Sequence, residues 1–417
     1  IWVSLDGPSN GDYISTKGGC MLFQSLDYKQ YCRAFYCNGK IYEGFDPSIM
    51  TATWEPTIHM QNHDIEFANL YCKGMSIDEV CPDHLVEKWS KLRKKKAAFI
   101  KSLSISKVDL DDVCIYQMLP ERFFKEYFEV KNSITNHVLN TFQRPSNYEF
   151  LHDLTKVLLD ISSKKLYINN TNINNLNNNI LNNTNINSTI KYNIFGTKTG
   201  RLSTIRGSFP ILNIKKEYRS LILPDNKYFL ELDYNSAELR VMYALQRMQL
   251  GLHLNQPQED MHQWNIRNIF GSNTSREEAK KNIFAWLYNP NNHNPVAEKF
   301  YNRDAALRQS NWDGSSITNY FGRKISVDRR RALNYLLQST LSDLFLRKKI
   351  KIFKMLKGRA SRIAFSVHDS LVIDMSLEDT DIVPCLVEEF GNTPFGKFKV
   401  NVNVGNDYGN LRKARGF

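Results

Sequence analysis

Two aspartates lie at positions where their carboxylates could bind a metal ion. Asp233 follows the apolar, strand-like stretch 228–232, and Asp369 belongs to a His368-Asp369 pair between two runs of alternating apolar residues that predict a hairpin. Two carboxylates can hold two magnesium ions about 3.5–4 Å apart for in-line phosphoryl displacement. The simpler explanations are an aspartate that stabilises a helix N-terminus, for Asp233, and ordinary turn chemistry, for His368-Asp369.

The segment 274–289 combines cationic and aromatic residues at helical spacing. Ser275 and Glu278 form the capping-box pattern that begins a helix. Residues four apart share one broad face of such a helix, and here they are Arg276, Lys280, Phe284 and Tyr288. Cations at one end and aromatic rings at the other match the polarity of a nucleoside triphosphate. A helix with a solvated start and a buried end would show the same pattern, and this stripe alone favours that simpler explanation.

Four further segments carry polar groups, and each is a weak indication by itself. The Gly and Ser residues of 195–214 allow close approach of the backbone, and arginine offers a forked donor. Asn235 or Ser236 could cap a helix that follows Asp233. The candidate residues are Arg201 and Asn213 in 195–214, Glu238 in the helix after Asp233, His262 in a predicted helix within 258–271, and Arg331, Asn334 and Gln338 in 331–343.

The composition excludes several classes of protein. The chain has 417 residues, a formal net charge of +12, 42% hydrophobic residues and 12% aromatic residues. These values support folded cores in two to four domains and argue against a wholly disordered chain. No apolar run approaches the ~18 residues of a membrane span, so we expect no membrane partner. The excess positive charge suits a polyanionic partner.

The cysteines point to a reducing compartment. There are seven of them, with no CxxC pair and no Cys/His cluster at zinc spacing. We therefore expect neither a disulfide scaffold nor a zinc ribbon.

The elements that must position the candidate residues follow from periodicity and turn signals. Residues 1–75 predict strands and turns, with a strand at 1–6 and a hairpin at 32–45 that turns at Asn38-Gly39. A charged helical pattern follows from about 80 to 165. The segment 169–187 holds twelve Asn in nineteen positions and predicts a mobile surface loop.

The second half predicts both helices and strands. A strand ends at Asp233, and a long helical region extends to about 330. Another long helix, 331–357, ends before Gly358, and a hairpin is predicted near 363–374.

The order of these motifs carries the strongest indication. TGRLS, DYNSAELR, DMH, the Arg-Lys-Phe-Tyr stripe, RALNYLLQSTLSD and VHDS occur in that order, and VGNDYG follows at 404–409. In this order the motifs resemble those of the family A DNA polymerases over roughly 195–410, about half of the chain. The short YNIFGTKTGRLST and HDS variants look most like the phage polymerases of this family.

The resemblance implies a fold class and a domain order. The expected fold is α+β, a right-hand polymerase with an antiparallel-sheet palm and helical fingers and thumb, preceded by a small α/β exonuclease-like domain similar to ribonuclease H. The implied order is an exonuclease-like remnant at 1–110, a thumb at 111–194 with the Asn-rich loop 169–187, palm at 195–240, fingers at 241–330 and palm again at 331–417.

The resemblance also implies roles for the candidate residues. Asp233 and Asp369 would bind two Mg²⁺ ions, and Lys280 would act with them as a catalytic residue by neutralising charge in the transition state. Residues that would contact the incoming dNTP are Arg276, His262, Phe284, Tyr288 and Glu238, of which Glu238 would exclude a ribose 2′-hydroxyl. Residues that would contact primer and template DNA are Arg201, Asn213, Arg331, Gln338 and His368.

The sequence departs from the family pattern at four places. The usual Gln of the first motif is Ser236, and the Gly expected after Tyr288 is Asn289. The usual Gly of the QGT motif is Ser339, and the Glu that usually follows His-Asp is Ser370. None of these changes removes Asp233 or Asp369, but the last one removes an acidic neighbour.

The N-terminal region resembles a proofreading exonuclease only in part. Such a domain needs an Asp-x-Glu on its first strand, and here Asp6 is followed by Pro8 where Glu should be. Segment 57–67 resembles the second motif, with Asp64 in place but Met60 instead of Asn, and no third motif follows. We expect a degenerate, inactive remnant. An intact exonuclease and an unrelated DNA-binding module are the alternatives.

The function expected from the sequence is DNA-dependent DNA synthesis in phage genome replication. The alternatives are a single-subunit RNA polymerase, against which Glu238 and TGRLS argue, and a catalytically silent nucleic-acid-binding subunit, against which both aspartates argue. Expected partners are primer-template DNA and dNTPs, with helicase, primase or a processivity factor unassigned. The expected location is the cytoplasm, that of the bacterial host if a phage encodes the chain.

Overall fold

The structure is a computed structural model that describes residues 21–27, 33–108, 113–169 and 188–414. Contacts between Cα atoms divide the chain into two compact units, Ile1–Ser163 and Lys164–Phe417, which are described separately. The predicted strand at 1–6, with Asp6 and Pro8, and nearly all of the Asn-rich segment 169–187 lie outside the described residues.

Among its described residues, the first unit combines short strands with three α-helices. Strands β1, β2 and β3 form an antiparallel sheet, while β4 and β5 form a separate parallel pair. The strands are β1 (Phe23–Ser25), β2 (Ala34–Cys37), β3 (Lys40–Glu43), β4 (Ala52–Thr53) and β5 (Glu66–Phe67), and the helices are α1 (Asp83–Ile105), α2 (Glu121–Thr141) and α3 (Tyr148–Ser162).

The predicted hairpin in this unit is confirmed. Asn38 and Gly39 connect β2 to β3 with φ angles of +47° and +74°, the left-handed region that two-residue hairpin turns require. Aromatic residues on β1, β2 and α2 are buried, among them Phe23, Phe35 and Phe128.

The exonuclease-like fold remains a prediction. Its first expected motif lies outside the described residues, and Asp64 of the second motif is exposed in the chain just before β5.

The second unit is built on a five-stranded antiparallel sheet. The strand order is β13-β14-β10-β17-β18, with β10 in the centre. These strands are β10 (Tyr228–Tyr234), β13 (Arg362–Val367), β14 (Ser370–Met375), β17 (Val400–Gly405) and β18 (Arg412–Lys413). Its strands therefore come from the predicted palm segments 195–240 and 331–417.

Short strands form further two-stranded pairs in this unit. Among the described residues these pairs are β6 (Tyr167–Ile168) with β9 (Ile222–Leu223), β7 (Tyr192–Asn193) with β8 (Ser203–Thr204), β11 (Ser316–Thr318) with β12 (Lys324–Ser326), and β15 (Asn392–Thr393) with β16 (Gly396–Lys397).

Helices separate the strands of this sheet in sequence. They are α4 (Ala237–Gln249), α5 (Met261–Asn265), α6 (Arg276–Tyr288), α7 (Pro295–Tyr301), α8 (Arg303–Gln309), α9 (Arg329–Met355) and α10 (Val383–Gly391), and a π-helical turn, Ile266–Phe270, follows α5. Helix α9 packs against α4 and α10, and α4 packs against α8. Helices and an antiparallel sheet in one unit confirm the α+β prediction.

The helix ends test the predicted capping signals. Helix α6 begins with the predicted capping box, in which Ser275 and Glu278 bond each other's backbone. Helix α9 ends at Met355, and Gly358 adopts a φ of +80° just beyond it. The prediction that Asn235 or Ser236 caps α4 with its side chain was wrong: Ser236 holds the N-cap position, but no side chain caps this helix.

The structure bears on two expectations from composition, one about the cysteines and one about membrane-spanning helices. Cys114 takes part in a disulfide bond, which departs from the expectation of reduced cysteines, whereas Cys37, Cys72, Cys81 and Cys385 are free. Among the described helices, none combines the length and apolar character that crossing a bilayer requires.

Candidate active site

The five-stranded sheet of the second unit brings the two predicted metal-binding aspartates to one of its ends. Asp233 on β10 pairs with Ser370 on β14, and Asp369 is the residue before Ser370 in the β13–β14 turn. His368 opens that turn with a φ of +53°, a region that few residues other than glycine adopt. Asp233 and Asp369 line one cavity of about 470 Å³.

The environment of Asp233 opposes its ionisation. Burial, with a smaller contribution from the nearby charges of Asp369 and Glu231, raises the pKa of its carboxyl to about 7. A hydrogen bond from Asn401 Nδ2 to Asp233 Oδ2, 3.1 Å long, acts in the opposite direction. A half-buried carboxyl beside two other carboxylates is a place where a cation would relieve electrostatic repulsion.

Glu238, on the first turn of α4, accepts hydrogen bonds from two predicted site residues. Arg201 donates to Glu238 Oε1 at 3.1 Å, and the Tyr288 hydroxyl donates to Glu238 Oε2. Burial, with the charge of Glu238 second, raises the pKa of Tyr288, so its hydroxyl keeps its proton and remains a donor. These bonds connect the helix after Asp233 with the C-terminal end of α6.

The face of α6 that carries the stripe lies along the cavity. Arg276, Lys280 and Phe284 line the cavity. Tyr288 does not line it, but its ring stacks on that of Phe284, with ring centroids 6.0 Å apart. Cations therefore line the cavity near the start of the helix and an aromatic ring lines it one turn later, as the sequence predicted.

His262 lies beside this stripe in a buried position. Its Nε2 is 3.1 Å from Ser236 Oγ, and its ring meets Phe284 edge-on. Its Nδ1 is buried without a hydrogen-bond partner among the described residues. Burial lowers the pKa of His262, and the charges of Arg276 and Lys280 lower it further.

Asp260 connects three of the elements around the cavity. Its carboxylate caps α5, accepting from His262 N at 3.0 Å, and also accepts from Asn235 Nδ2 at 2.9 Å and from Arg276 at 2.8 Å. Despite partial burial, these bonds hold the pKa of Asp260 well below its usual range. Arg276 is thereby held at the cavity by an ion pair.

Most of the predicted site residues share the cavity. Those that line it are Arg201, Asp233, Glu238, His262, Arg276, Lys280, Phe284, His368 and Asp369. Three residues predicted to contact DNA lie elsewhere: Asn213 is exposed, Gln338 is half-buried on α9, and exposed Arg331 pairs with Asp328 at 3.2 Å. Since DNA extends well beyond a nucleotide pocket, their position leaves that prediction open.

Sequence reasoning missed several residues around the cavity. Asn401 binds Asp233, and Glu231 and Asn403 bind each other one pleat further along the same strands. The alternation of Val and Asn at 400–404 signals a strand with one polar face and could have revealed Asn401. Asp260, directly before the predicted helix of His262, has the residue type of an N-cap.

The donors at the cavity fit magnesium. Among the described residues, no three His, Cys, Asp or Glu side chains are close enough together to form a metal-binding group. Magnesium in nucleotide enzymes is commonly held by one or two carboxylates together with substrate phosphates, while water fills the other positions. Asp233 and Asp369 supply such a pair in a cavity that is also lined by cations suited to phosphate.

The family follows from comparison with known proteins. The model of DNA polymerase family A matches residues 84–308, more than half of the chain. The chain therefore belongs to DNA polymerase family A. The matched segment contains Asp233 and α6 and ends before Asp369.

Individual relatives are more distant. The chain is similar to the thermostable DNA polymerase I of Thermus aquaticus, with 24% identity over 266 residues that cover 52% of this chain and 32% of that protein. The match thus spans about a third of the length of this curated relative. Among solved structures, the chain is similar to the POL domain of Pol1 from M. smegmatis in complex with DNA primer-template and dNTP, with 18% identity and a TM-score of 0.44, covering 69% of this chain and 55% of that one.

Proposed function

We propose that this chain is a template-directed, DNA-dependent DNA polymerase that adds dNTPs to the 3′ end of a primer. The observation that carries the proposal is a single cavity lined by Asp233, Asp369, Glu238 and the cations of α6. Membership of DNA polymerase family A supports it. We propose primer-template DNA and dNTPs as its substrates.

The two aspartates would hold two Mg²⁺ ions. When bound, the ions would stabilise the negative charge on the attacking and leaving oxygens of phosphoryl transfer. The protein's own contribution is to fix both carboxylates at one end of a rigid sheet, with Asp233 held by Asn401. Rigid placement matters because phosphoryl transfer depends on positioning and charge more than on covalent chemistry.

The cations of α6 would bind the triphosphate. Lys280 is exposed to the cavity, where its ammonium would neutralise the charge that develops on the phosphates. Arg276 would exchange part of its ion pair with Asp260 for phosphate oxygens, since guanidinium binds both kinds of anion through the same fork. His262, whose ring contacts that of Phe284 edge-on, would donate a hydrogen bond to the same phosphates.

The remaining residues of the cavity would select the sugar and the base. Phe284 would pack on the sugar, and Tyr288 would lie beside the nascent base pair. Glu238 would exclude a ribose 2′-hydroxyl, because both of its oxygens already accept hydrogen bonds and the added hydroxyl would clash with a fixed carboxylate.

Primer and template would contact a second group of residues. Arg201 and His368 line the cavity, and we assign Asn213, Arg331 and Gln338 to the DNA on either side of it. Minor-groove contacts suit this task, because purine N3 and pyrimidine O2 present similar acceptors and allow recognition of pair geometry without sequence.

We propose phage genome replication in the bacterial cytoplasm as the setting, supported by the short motif variants TGRLST and HDS. We propose thumb at 111–194, palm at 195–240 and 331–417, fingers at 241–330 and an exonuclease-like remnant at 1–110. A helicase, a primase or a processivity factor would complete the replication machinery.

Primer extension on a DNA template, with dNTPs and NTPs in parallel and with or without magnesium, tests the proposal. We expect magnesium-dependent extension with dNTPs and far less with NTPs. Preferential extension with NTPs would indicate an RNA polymerase. DNA binding without extension would indicate a catalytically silent subunit.

A further inference from the structure

The palm sheet carries an acidic side chain next to Asp233 that the proposed mechanism does not use. Glu231 precedes Asp233 by two residues on β10, so both side chains project from the same face of the strand. Alternate residues of a strand lie about 7 Å apart. Because β10 is the central strand, its neighbours on both sides can hold Glu231 in place.

Both oxygens of Glu231 accept hydrogen bonds from those neighbouring strands. Ser370 Oγ on β14 donates to Oε1 at 2.7 Å, and Asn403 Nδ2 on β17 donates to Oε2 at 2.8 Å. The pairing of Asn403 with Glu231 repeats, one pleat away, the pairing of Asn401 with Asp233. A half-buried carboxylate held by two strands has a fixed position, and a fixed charge acts on its surroundings without reorganising first.

Ser370 connects Glu231 to the turn that carries the second aspartate. It follows Asp369 directly and lies opposite Asp233 in the strand register. It is also one of the places where this sequence departs from its family pattern. The hydroxyl of Ser370 thus connects the carboxylate of Glu231 to the turn that carries Asp369.

We propose that Glu231 is a positioning residue of the metal site, an inference that rests on the proposed function. Its carboxylate adds a third negative charge near Asp233 and Asp369 and raises the affinity of the site for divalent cations, and its bond to Ser370 fixes the start of β14 beside Asp369. Glu231 is not assigned as a direct ligand, because the described residues contain no three ligating side chains close enough to share one ion.

The size of the effect follows from Coulomb's law. A unit negative charge about 7 Å from a divalent cation, screened as in water, changes the affinity about fivefold to tenfold. If the only role of Glu231 were to join three strands by hydrogen bonds, its replacement would change the melting temperature and leave cation binding unchanged.

Manganese binding separates these two roles. We would titrate the full chain with Mn²⁺ alone, follow free Mn²⁺ by electron paramagnetic resonance, and record a thermal melt of each variant. Glu231→Gln keeps the shape of the side chain and removes its charge. Glu388→Gln is the matched control, because it removes one charge from an exposed carboxylate on α10.

The proposal predicts Mn²⁺ binding about fivefold to tenfold weaker in Glu231→Gln and unchanged in Glu388→Gln, as the Coulomb estimate requires. The double variant Glu231→Gln/Ser370→Glu returns a carboxylate to the same face and should recover most of the loss. The magnesium concentration for half-maximal primer extension should be highest in Glu231→Gln, lower in the double variant, and equal to that of the wild type in Glu388→Gln.

Three results would overturn the proposal. Wild-type Mn²⁺ binding by Glu231→Gln, with or without a lower melting temperature, would leave Glu231 a purely structural role. A double variant that binds no better than Glu231→Gln would exclude a role for the charge. If Glu231→Gln does not fold, Ser370→Ala decides, since it removes the bond that fixes the carboxylate and the start of β14 but keeps the charge: a loss of Mn²⁺ affinity supports the proposal, and wild-type binding refutes it. Absence of extension by the wild type would instead refute the proposed function, because Mn²⁺ binding is measured without it.

Discussion

At the scale of single residues, the cavity combines groups that attract a cation with groups that attract phosphate. Burial and neighbouring carboxylates raise the pKa of Asp233 to about 7, while Arg276 is held nearby by Asp260. Opposite charges kept apart around one space can bind a metal-triphosphate ion pair more readily than either partner alone. In the proposed function, the selectivity of the site would depend on a few side chains of the same cavity, chiefly Glu238 and Phe284.

Replacing Glu238 by Ala should admit ribonucleotides. The change removes a carboxylate fixed by Arg201 and Tyr288, and with it the clash and the unmet hydrogen-bonding demand that a 2′-hydroxyl would meet. We expect the ratio of kcat/KM for dNTPs over NTPs to fall about tenfold or more, which is about 1.4 kcal/mol. Glu388→Ala, at an exposed acidic residue on α10, is the control. Unchanged discrimination in Glu238→Ala would refute the gate assignment.

Replacing Phe284 by Tyr should weaken discrimination against dideoxynucleotides. Phe284 lines the cavity one turn after Lys280, so an added hydroxyl could replace the hydrogen bond that a missing 3′-hydroxyl no longer makes. Chain-termination patterns with mixed dNTPs and ddNTPs measure the change, and a thermal melt accompanies them. Unchanged termination with a lower melting temperature would mean that the new hydroxyl is buried without a partner, at a cost of about 1–3 kcal/mol, and would contradict the assignment.

At the scale of elements, the helix α9 and the β13–β14 hairpin are joined under the site by a buried lysine. Lys349 on α9 is fully buried and donates to Ser366 Oγ at 2.7 Å, and its ammonium lies over the rings of Tyr192 and Phe345. The Tyr192 hydroxyl in turn donates to the carbonyl oxygen of Ser366 at 2.7 Å. This group of contacts fixes β13, the strand that leads into His368 and Asp369.

Lys349 gives the fold a predictable pH dependence. Burial lowers its pKa to about 7 in the folded state, while the unfolded chain keeps the ordinary value of 10.5. Between these two values the unfolded state binds more protons, so stability should rise with pH, by up to about 1.4 kcal/mol per pH unit. Below pH 7 both states are protonated, so the slope disappears while the full cost of burying the charged ammonium remains.

The comparison of wild type with Lys349→Met isolates that contribution. Met keeps the length of the side chain and removes the titrating group, so the variant should show a flatter pH dependence between pH 7 and 10 and a higher stability at neutral pH. Denaturant unfolding at several pH values measures both. A slope equal to that of the wild type would show that Lys349 does not titrate in this window.

Local patterns predicted the elements better than they predicted the contacts between them. The capping box at Ser275 and the turn at Asn38-Gly39 each depend on residues close in sequence, and each was confirmed. Of the α6 stripe, three residues line the cavity and Tyr288 does not. The hairpin β11–β12 was missed inside the predicted helical region, although Gly322, with a φ of +87°, marks a turn.

Contacts across strands could not be predicted in the same way. Asn401 lies opposite Asp233 only because β17 pairs with β10 in one register. The left-handed backbone of Ser236, with a φ of +54°, turns its side chain to His262 instead of capping α4. Both features depend on residues that are distant in sequence. A single sequence does not specify which of its segments pair or in which register they do so.

At the scale of the whole molecule, the chain should lack 3′→5′ exonuclease activity. Pro8 cannot ligate a metal where the exonuclease pattern has Glu, and Asp64 is exposed. Incubation with a labelled single strand, magnesium or manganese and no dNTPs should leave the strand intact. Degradation that disappears in Asp64→Ala would show that the first unit is an active exonuclease.

In the proposed function, Asp233 and Asp369 together form the metal centre of DNA synthesis. The most direct measurement is the rate of single-nucleotide primer extension by the wild type, Asp233→Ala and Asp369→Ala, each paired with its affinity for primer-template DNA. Because contacts to the phosphate backbone dominate DNA affinity, both variants should bind DNA nearly as the wild type does. They should nevertheless lose at least about a thousandfold in rate, or about 4 kcal/mol of transition-state stabilisation. Near-normal extension by both variants would contradict the assignment of these two aspartates as the metal centre.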